Sequence, residues 1–365
     1  MALDPTNAVI LIPSLEPDNR LPAYLGKLQE KGFAHIVVVD DGSSDKTQHF
    51  FDEMAQMQGV TVLHHDVNHG KGVALKTGYR WILDNLPDVS GVITADADGQ
   101  HTVEDCWRLA CALAEGKHAM YLGSRDFNLP NIPPRSRIGN KITSTVFWAL
   151  YGQYLQDTQT GLRAFPASEL QFMIDVPGER YEYEMNVLIA CARARLPMLP
   201  MTIETVYEND NEGSHFHPVR DSFRIYKVIL GNFIKFMAAS VASFLIDQGV
   251  FALMHYVVLA SINWHTTAIQ GVSTIVARLI SAPCNFLLNR SFVFKFKENT
   301  RVTALKYAAL CVVIMLLSSL GVSLLSFLGM PVQLDNLSKL IIDTVLYFLS
   351  YRVQNKWIFQ EGKQA

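Results

Sequence analysis

Apolar residues along the 365-residue chain fall into two regimes. Up to about residue 225 they come as short, largely β-branched runs that stop on polar or glycine-rich residues. Val9–Ile12 runs into Pro13 and Ser14, Ile36–Val39 into Asp40, Asp41 and Gly42, Val60–Leu63 leads to Asn68–Gly72, and Val92–Ala95 ends on Asp96. Runs this continuous predict strands covered on both faces, as in a parallel sheet, because a half-exposed strand alternates apolar with polar. The stretches 21–31, 46–57 and 73–85 predict helices, so the N-terminal part reads as an α/β, Rossmann-like domain whose strand ends bring polar loops to one rim. From about Phe233 the pattern changes to long apolar stretches broken by short polar loops. Four of them, about 235–260, 267–288, 304–328 and 334–352, are long enough to cross a hydrocarbon core, which needs roughly 20 residues, although Lys339 and Asp343 interrupt the fourth. The expected organisation is an α/β domain over 1–219, a linker over 220–234 and an all-α, four-helix transmembrane domain over 235–365.

Charge gives the spans a direction. Arg290, Lys295, Lys297, Arg301 and Lys306 lie between spans two and three, and Arg352, Lys356 and Lys363 follow span four, whereas the loops 261–266 and 329–333 have no Lys or Arg. The positive-inside rule then puts the N-terminal domain, the middle loop and both termini on the cytoplasmic side. The N-terminus shows no basic region followed by an apolar core, so no signal peptide is expected. Hydrophobic residues make up 49% of the chain, high for a soluble enzyme and in line with an integral membrane protein. The five cysteines have no paired metal-type spacing and read as packing residues. Arg220–Leu230 places basic and apolar residues at helical spacing, which predicts an interfacial helix with Arg224 and Lys227 at anionic headgroups. The membrane part also repeats: Asn289–Phe294 after span two is matched by Gln354–Phe359 after span four, and Lys235-Phe236 by Lys306-Tyr307.

The chemistry concentrates at the strand ends. Asp96 and Asp98, one residue apart after a strand, offer hard oxygen ligands suited to Mg²⁺ or Mn²⁺, although acids also cap strands and turns. Asp40 and Asp41 can accept base N–H and ribose hydroxyl protons, while Asp45 reads as a helix cap. Lys71, between Gly70 and Gly72, can approach a phosphate closely. Arg125, Arg135 and Arg137 supply planar donors that can hold phosphate oxygens in pairs. If a phosphate is the acceptor of a transfer, it is already ionised near neutral pH and needs cationic positioning more than a strong base. Asp247 and Arg278 lie inside the spans and are costly there unless paired or facing a polar cavity.

The strings VVVDDGSSDKT, NHGKGVALKTGY, ITADADGQH, LGSRDF and DTQTGLRAF stand in the order and spacing of family 2 glycosyltransferases of GT-A fold. Over residues 8–226 the chain resembles the dolichyl-phosphate mannose synthase and polyprenyl-phosphate glycosyltransferase branch. Over 233–360 it resembles the four-helix GtrA-like membrane family. The resemblance implies a GT-A domain at 1–219 using a GDP- or UDP-linked nucleotide sugar, with Asp96, Asp98 and Gln100 holding the divalent ion and Lys71 near the nucleotide. His101 is expected to order the loop rather than ligate. Asp157 and Glu184 recur in that branch, as sugar contacts or as structure. The chain departs from the family at Pro13-Ser14-Leu15-Glu16-Pro17, where Pro13 and Glu16 would contact the nucleotide, and at Pro133–Arg137, which leaves Arg135 and Arg137 both open as the acceptor-phosphate residue.

The implied activity is a metal-dependent, inverting transfer of a hexose to undecaprenyl or dolichyl phosphate, with Asp98, Arg125, Arg135 and Arg137 as the catalytic set. A flippase for lipid-linked sugar, loaded by the soluble domain, is the alternative. A processive synthase is disfavoured by the missing Gln-x-x-Arg-Trp signature. Expected partners are the nucleotide sugar, the polyprenyl phosphate and membrane lipid, with no nucleic acid. A homo-oligomer is compatible with the sequence and not required by it. The stretch 207–217 reads as a loop able to close over the substrates.

Overall fold

The computed structural model describes residues 4–129, 132, 134–204, 218–259, 261, 265–297, 299–327 and 335–359. The expected closing loop at 207–217 lies outside them. The chain divides into two compact units, Met1–Trp148 with Gln153–Ile229, and Ala149–Gly152 with Leu230–Ala365.

The first unit is built on seven strands: β1 (Ala8–Ser14), β2 (His35–Asp40), β3 (Val60–His64), β4 (Gly91–Thr94), β5 (Met120–Arg125), β6 (Arg163–Pro166) and β7 (Met198–Ile203). They are ordered β3-β2-β1-β4-β6-β5-β7. Pairings β1–β2, β1–β4 and β2–β3 are parallel, as the apolar runs predict, and β5–β7, which those runs did not cover, is parallel as well. The sheet is nevertheless mixed, because β6 runs antiparallel to both β4 and β5. The sheet is GT-A-like, in keeping with the expected GT-A, Rossmann-like domain. The reversal has a direct consequence. The C-terminal ends of β1, β2, β4 and β5 share one rim, and the chain enters β6 at that same rim, so the loop 156–162 arrives beside Asp96.

Helices α1 (Arg20–Lys31), α2 (Gln48–Ala55), α3 (Lys71–Asn85), α4 (Val103–Ala114), α5 (Pro134–Tyr151), α6 (Leu170–Asp175) and α7 (Glu182–Ala194) complete the unit. Leu21, Leu25 and Leu28 of α1 and Cys106, Leu109 and Leu113 of α4 bury against Ile10, Ile12, Val38 and Ile93. Each such side chain withdrawn from water contributes about 1.5–3 kcal/mol. Helix α5 is apolar on two faces. Phe147, Leu150 and Tyr151 are buried together with Asn140, Thr143 and Ser144, while Ile138, Ile142 and Trp148 are exposed beside exposed Lys141.

The second unit is helical: α8 (Pro218–Leu253) from Leu230 onward, α9 (Thr266–Leu288), α10 (Thr300–Phe327) and α11 (Asp335–Val353). Among the described residues three helices, Phe223–Val258, Thr266–Val293 and Thr300–Leu325, are long and apolar enough to cross a membrane. Helix α11, 19 residues long and carrying Lys339, Asp343 and Arg352, is not one of them.

The repeat read from the sequence has a structural counterpart. Asn289–Val293 and Gln354–Ile358 are both π-helical turns, closed by Phe294 N–H donating to Asn289 O and Phe359 N–H donating to Gln354 O, each at 2.9 Å. The rings of Phe294 and Phe359, equivalent positions, stack with centroids 4.9 Å apart. The same sequence steps, Lys235 to Lys306 and Asn289 to Gln354, carry Asp247 onto Ser318 and Arg278 onto Asp343. Both pairs of positions are polar contacts. Asp247 Oδ1 accepts from Ser281 Oγ at 2.8 Å and lies 3.6 Å from Arg278 Nε, while Ser318 Oγ donates to Asp343 Oδ1 at 2.5 Å. Asp247 and Arg278, expected to be costly in the spans unless paired, thus face each other across neighbouring helices.

Candidate active site

The rim gathers side chains from loops far apart in sequence. Asp96 and Asp98 follow β4, and Asp96 receives two cationic or polar neighbours. Lys71 Nζ is 2.7 Å from its Oδ1 and His101 Nε2 is 3.1 Å from its Oδ2. The same Lys71 ammonium lies 3.0 Å from Glu184 Oε1, at the start of α7. Burial alone would raise the Asp96 carboxyl, but Lys71 and His101 overturn that and hold it far below the usual carboxylate range. Burial also acts to lower the Lys71 ammonium, and is outweighed by Asp96 and Glu184, so this lysine stays charged. Asp98 moves the other way: burial, then the Asp96 charge, raise its carboxyl. Its Oδ1 accepts the Gln100 N–H at 3.0 Å.

Two glycines make this packing feasible. A Cβ on Gly161 would lie 2.2 Å from Asp96 Oδ2, so only glycine lets the strand-entry loop touch the acid. Gly70, at φ +102°, turns the chain immediately before Lys71 into a conformation that L side chains rarely adopt.

The acids after β2 are occupied by the protein itself. Asp41 accepts the backbone N–H groups of His69 (3.0 Å) and Gly70 (2.7 Å), with His65 Nδ1 2.8 Å away, and so shapes the loop that presents Lys71. Asp40 accepts from Ser43 N–H at 2.8 Å and Gln48 Nε2 at 3.1 Å, with His64 Nδ1 at 3.0 Å. Burial acts to raise the Asp40 carboxyl, but these hydrogen bonds prevail and lower it. Pro13 is half-buried in β1 opposite Val39. Glu16, in the left-handed region at φ 51°, accepts Ser44 N–H at 2.7 Å and Ser44 Oγ at 3.0 Å, and its own N–H donates to Ser43 Oγ. The departure from the family pattern at this position thus staples the β1–α1 loop to the β2–α2 loop. The Ser44 N–H lowers the Glu16 carboxyl.

On the β5 side, Arg125 Nε and Nη2 donate to Asp157 Oδ2 and Oδ1 at 2.7 and 3.2 Å, a bidentate pair with a wholly buried acid, and the guanidinium lies over Phe127. Arg137 Nη2 donates to Leu129 O at 2.9 Å. The side chain of Arg135 lies outside the described residues. Four partnerships here have no local signature in the sequence: Lys71 with Glu184, Arg125 with Asp157, Asn140 Nδ2 donating to Gln156 O at 2.6 Å, and Arg163 Nη1 donating to Glu184 O at 2.7 Å.

Among the described residues no three His, Cys, Asp or Glu side chains converge as a ready-made metal cage. The donor set fits a hydrated divalent ion all the same. Mg²⁺ characteristically takes one or two carboxylates and completes its shell with water and substrate phosphate, and Asp96 and Asp98 present two carboxylates one residue apart just after β4.

A mixed GT-A-like sheet with an acid pair, a lysine and an arginine on one rim, followed by membrane-type helices, defines a membrane-linked glycosyltransferase. The chain matches the glycosyl transferase family 2 over residues 10–173 and the GtrA/DPMS transmembrane domain over 235–359. It belongs to glycosyl transferase family 2. An uncharacterised protein of Methanocaldococcus jannaschii is 35% identical over 202 residues, covering 54% of this chain and 81% of its own length. The UDP-N-acetylglucosamine–dolichyl-phosphate N-acetylglucosaminyltransferase of Methanococcus voltae is 28% identical over 215 residues, covering 54% and 85%. The undecaprenyl-phosphate mannosyltransferase of Micrococcus luteus is 30% identical over 207 residues, covering 53% and 81%.

Proposed function

We propose that the protein transfers a sugar from a GDP- or UDP-linked donor to a polyprenyl phosphate at the cytoplasmic membrane face, with inversion at the anomeric carbon. The observation that carries the reading is the rim cluster of Asp96, Asp98, Lys71 and Arg125, in a chain whose relatives are named for transfer to dolichyl or undecaprenyl phosphate. An acceptor phosphate oxygen attacks the anomeric carbon, the bond to the donor diphosphate breaks, and the nucleoside diphosphate leaves with the electron pair. Asp96 and Asp98, with Gln100 beside them, would hold Mg²⁺ or Mn²⁺, which when bound neutralises the departing diphosphate. Asp41 and Gly70 hold Lys71 where phosphate oxygens can meet its ammonium. Asp40, Pro13 and Glu16 form the floor on which the nucleoside rests. Arg125, fixed by Asp157, and Arg137, with Arg135 nearby in sequence, provide the cationic acceptor side.

The membrane arrangement that supports this chemistry is four spans, with α11 as the fourth and the catalytic domain cytoplasmic. The exposed apolar face of α5, with Lys141 on it, suits the surface of a bilayer, as does the start of α8, where Phe223 is exposed. The test is transfer of radiolabel from UDP- and GDP-sugars to undecaprenyl or dolichyl phosphate by the purified full-length protein, with Mn²⁺, Mg²⁺ or chelator. Chloroform-soluble label is expected only with lipid phosphate and a divalent ion, and not for Asp98→Asn, which should insert in membranes normally. No label across the panel overturns the reading.

A further inference from the structure

The Lys71 ammonium and a divalent ion would seek the same carboxylate. One Asp96 oxygen lies 2.7 Å from Lys71 Nζ and the other 3.1 Å from His101 Nε2, so both face a nitrogen of the protein. Asp98 has one oxygen engaged by the Gln100 N–H. Glu184, 3.0 Å from the same ammonium, keeps Lys71 against Asp96 with a second negative charge, and Arg163 secures the Glu184 backbone. The lysine is well enclosed, its side chain 17% exposed, so these ion pairs are weakly screened. A lysine side chain has four rotatable bonds and can transfer its charge from a carboxylate to a phosphate without backbone movement.

Resting on the donor-site reading above, we propose that Lys71 is an internal counter-cation that competes with the divalent ion for Asp96. The metal is then taken up tightly only together with a nucleoside diphosphate, whose phosphate oxygens draw Lys71 away. Glu184 is the positioning residue of this device. It sets how firmly Lys71 stays on Asp96 until phosphate arrives. The device makes metal and nucleotide binding mutually dependent, and the dependence is reciprocal: each must tighten the other by the same factor.

Mn²⁺ binding to the full-length protein in detergent, followed by the loss of the free-ion electron paramagnetic resonance signal, tests this without any turnover. For the wild type, UDP or GDP should tighten Mn²⁺ binding by about 5–150-fold. Lys71→Met should tighten binding of Mn²⁺ alone by about tenfold or more, and shrink the nucleotide enhancement correspondingly. Because Lys71→Met leaves Asp96 and Glu184 facing each other, the double variant Lys71→Met/Glu184→Gln provides a charge-balanced version with the same expectation. Lys76→Met, which removes a cation on the same helix that instead donates to Gly178 O, should leave Mn²⁺ affinity within about twofold. Mn²⁺ uptake that survives Asp98→Asn overturns the metal-site reading and the proposal with it. Uptake that is lost in Asp98→Asn but indifferent to both Lys71→Met and Lys71→Met/Glu184→Gln overturns the proposal alone, as does tight wild-type uptake that nucleotide does not change.

Discussion

Replacing Arg125 by alanine should unfold the catalytic unit more easily before it reveals anything about substrate. Asp157 is wholly buried and receives four hydrogen bonds, from Arg125 Nε, Nη2 and N–H and from Gln159 N–H. The substitution removes the two charged donors and leaves a carboxylate in the interior with backbone N–H groups alone. Breaking one partner of a buried pair costs about 3–5 kcal/mol. At about 2–4 °C per kcal/mol for a unit of this size, the melting temperature should fall by about 6–20 °C. The assay is thermal unfolding of the detergent-solubilised protein, with Asp157→Asn and Arg125→Gln/Asp157→Asn run in parallel. The neutral pair keeps hydrogen-bonding groups without a stranded charge and should recover a substantial part of the loss. If Arg125→Ala melts within about 1 °C of wild type, a shift worth less than about 0.5 kcal/mol, the pair does not hold this side of the rim. The arginine would then be held in place chiefly by what it binds.

Two further outcomes follow from the rim. Gly161→Ala should lower transfer by pushing the loop off Asp96, since the new methyl would meet a carboxylate oxygen at 2.2 Å, while leaving membrane insertion unchanged; wild-type transfer and Mn²⁺ affinity would refute it. The lowered Asp40 carboxyl is a stability contribution present above its unfolded value of 3.8 and lost as pH falls through the lower folded value. Asp40→Asn should therefore melt below wild type at pH 7, by about 1–3 kcal/mol for a buried, multiply bonded carboxylate, with the gap closing as pH drops below 4; a gap that is constant with pH would refute the assignment.

The parts of the fold legible in the sequence are those with a local signature. Val9–Ile12, Ile36–Val39 and Val92–Ala95 read as strands because strands buried on both faces need unbroken apolar runs, whereas Val60–Leu63, the half-buried edge strand, was legible through its β-branched residues. Strand β6 has no such run. It is four residues long and begins on an arginine, so neither it nor the antiparallel reversal it brings could be read. The acid pair, Lys71 and the arginines were legible as chemistry through spacing and neighbouring glycines. Their partners were not, because Lys71 and Glu184 are 113 residues apart and Arg125 and Asp157 are 32 apart, and nothing local joins them. Glu16 stands between these cases: its departure from the family pattern was visible, and the stapling of two loops behind it needed coordinates.

The stack of Phe294 on Phe359 places a residue against its own counterpart in the second half of the helical unit. Contacts of that kind occur where a two-fold axis passes, and in a dimer of separate hairpins each substitution there would be made on both sides at once. Joining two halves in one chain removes that obligation. The freedom has been used around an unchanged centre: phenylalanine faces phenylalanine, yet Asn289-Arg290-Ser291 answers Gln354-Asn355-Lys356, and the acid stands on the first helix of one half and on the second helix of the other. The two halves are accordingly alike in their π-helical turns Asn289–Val293 and Gln354–Ile358 and unlike in where their charges stand, so that one fold of backbone carries two different patterns of polarity.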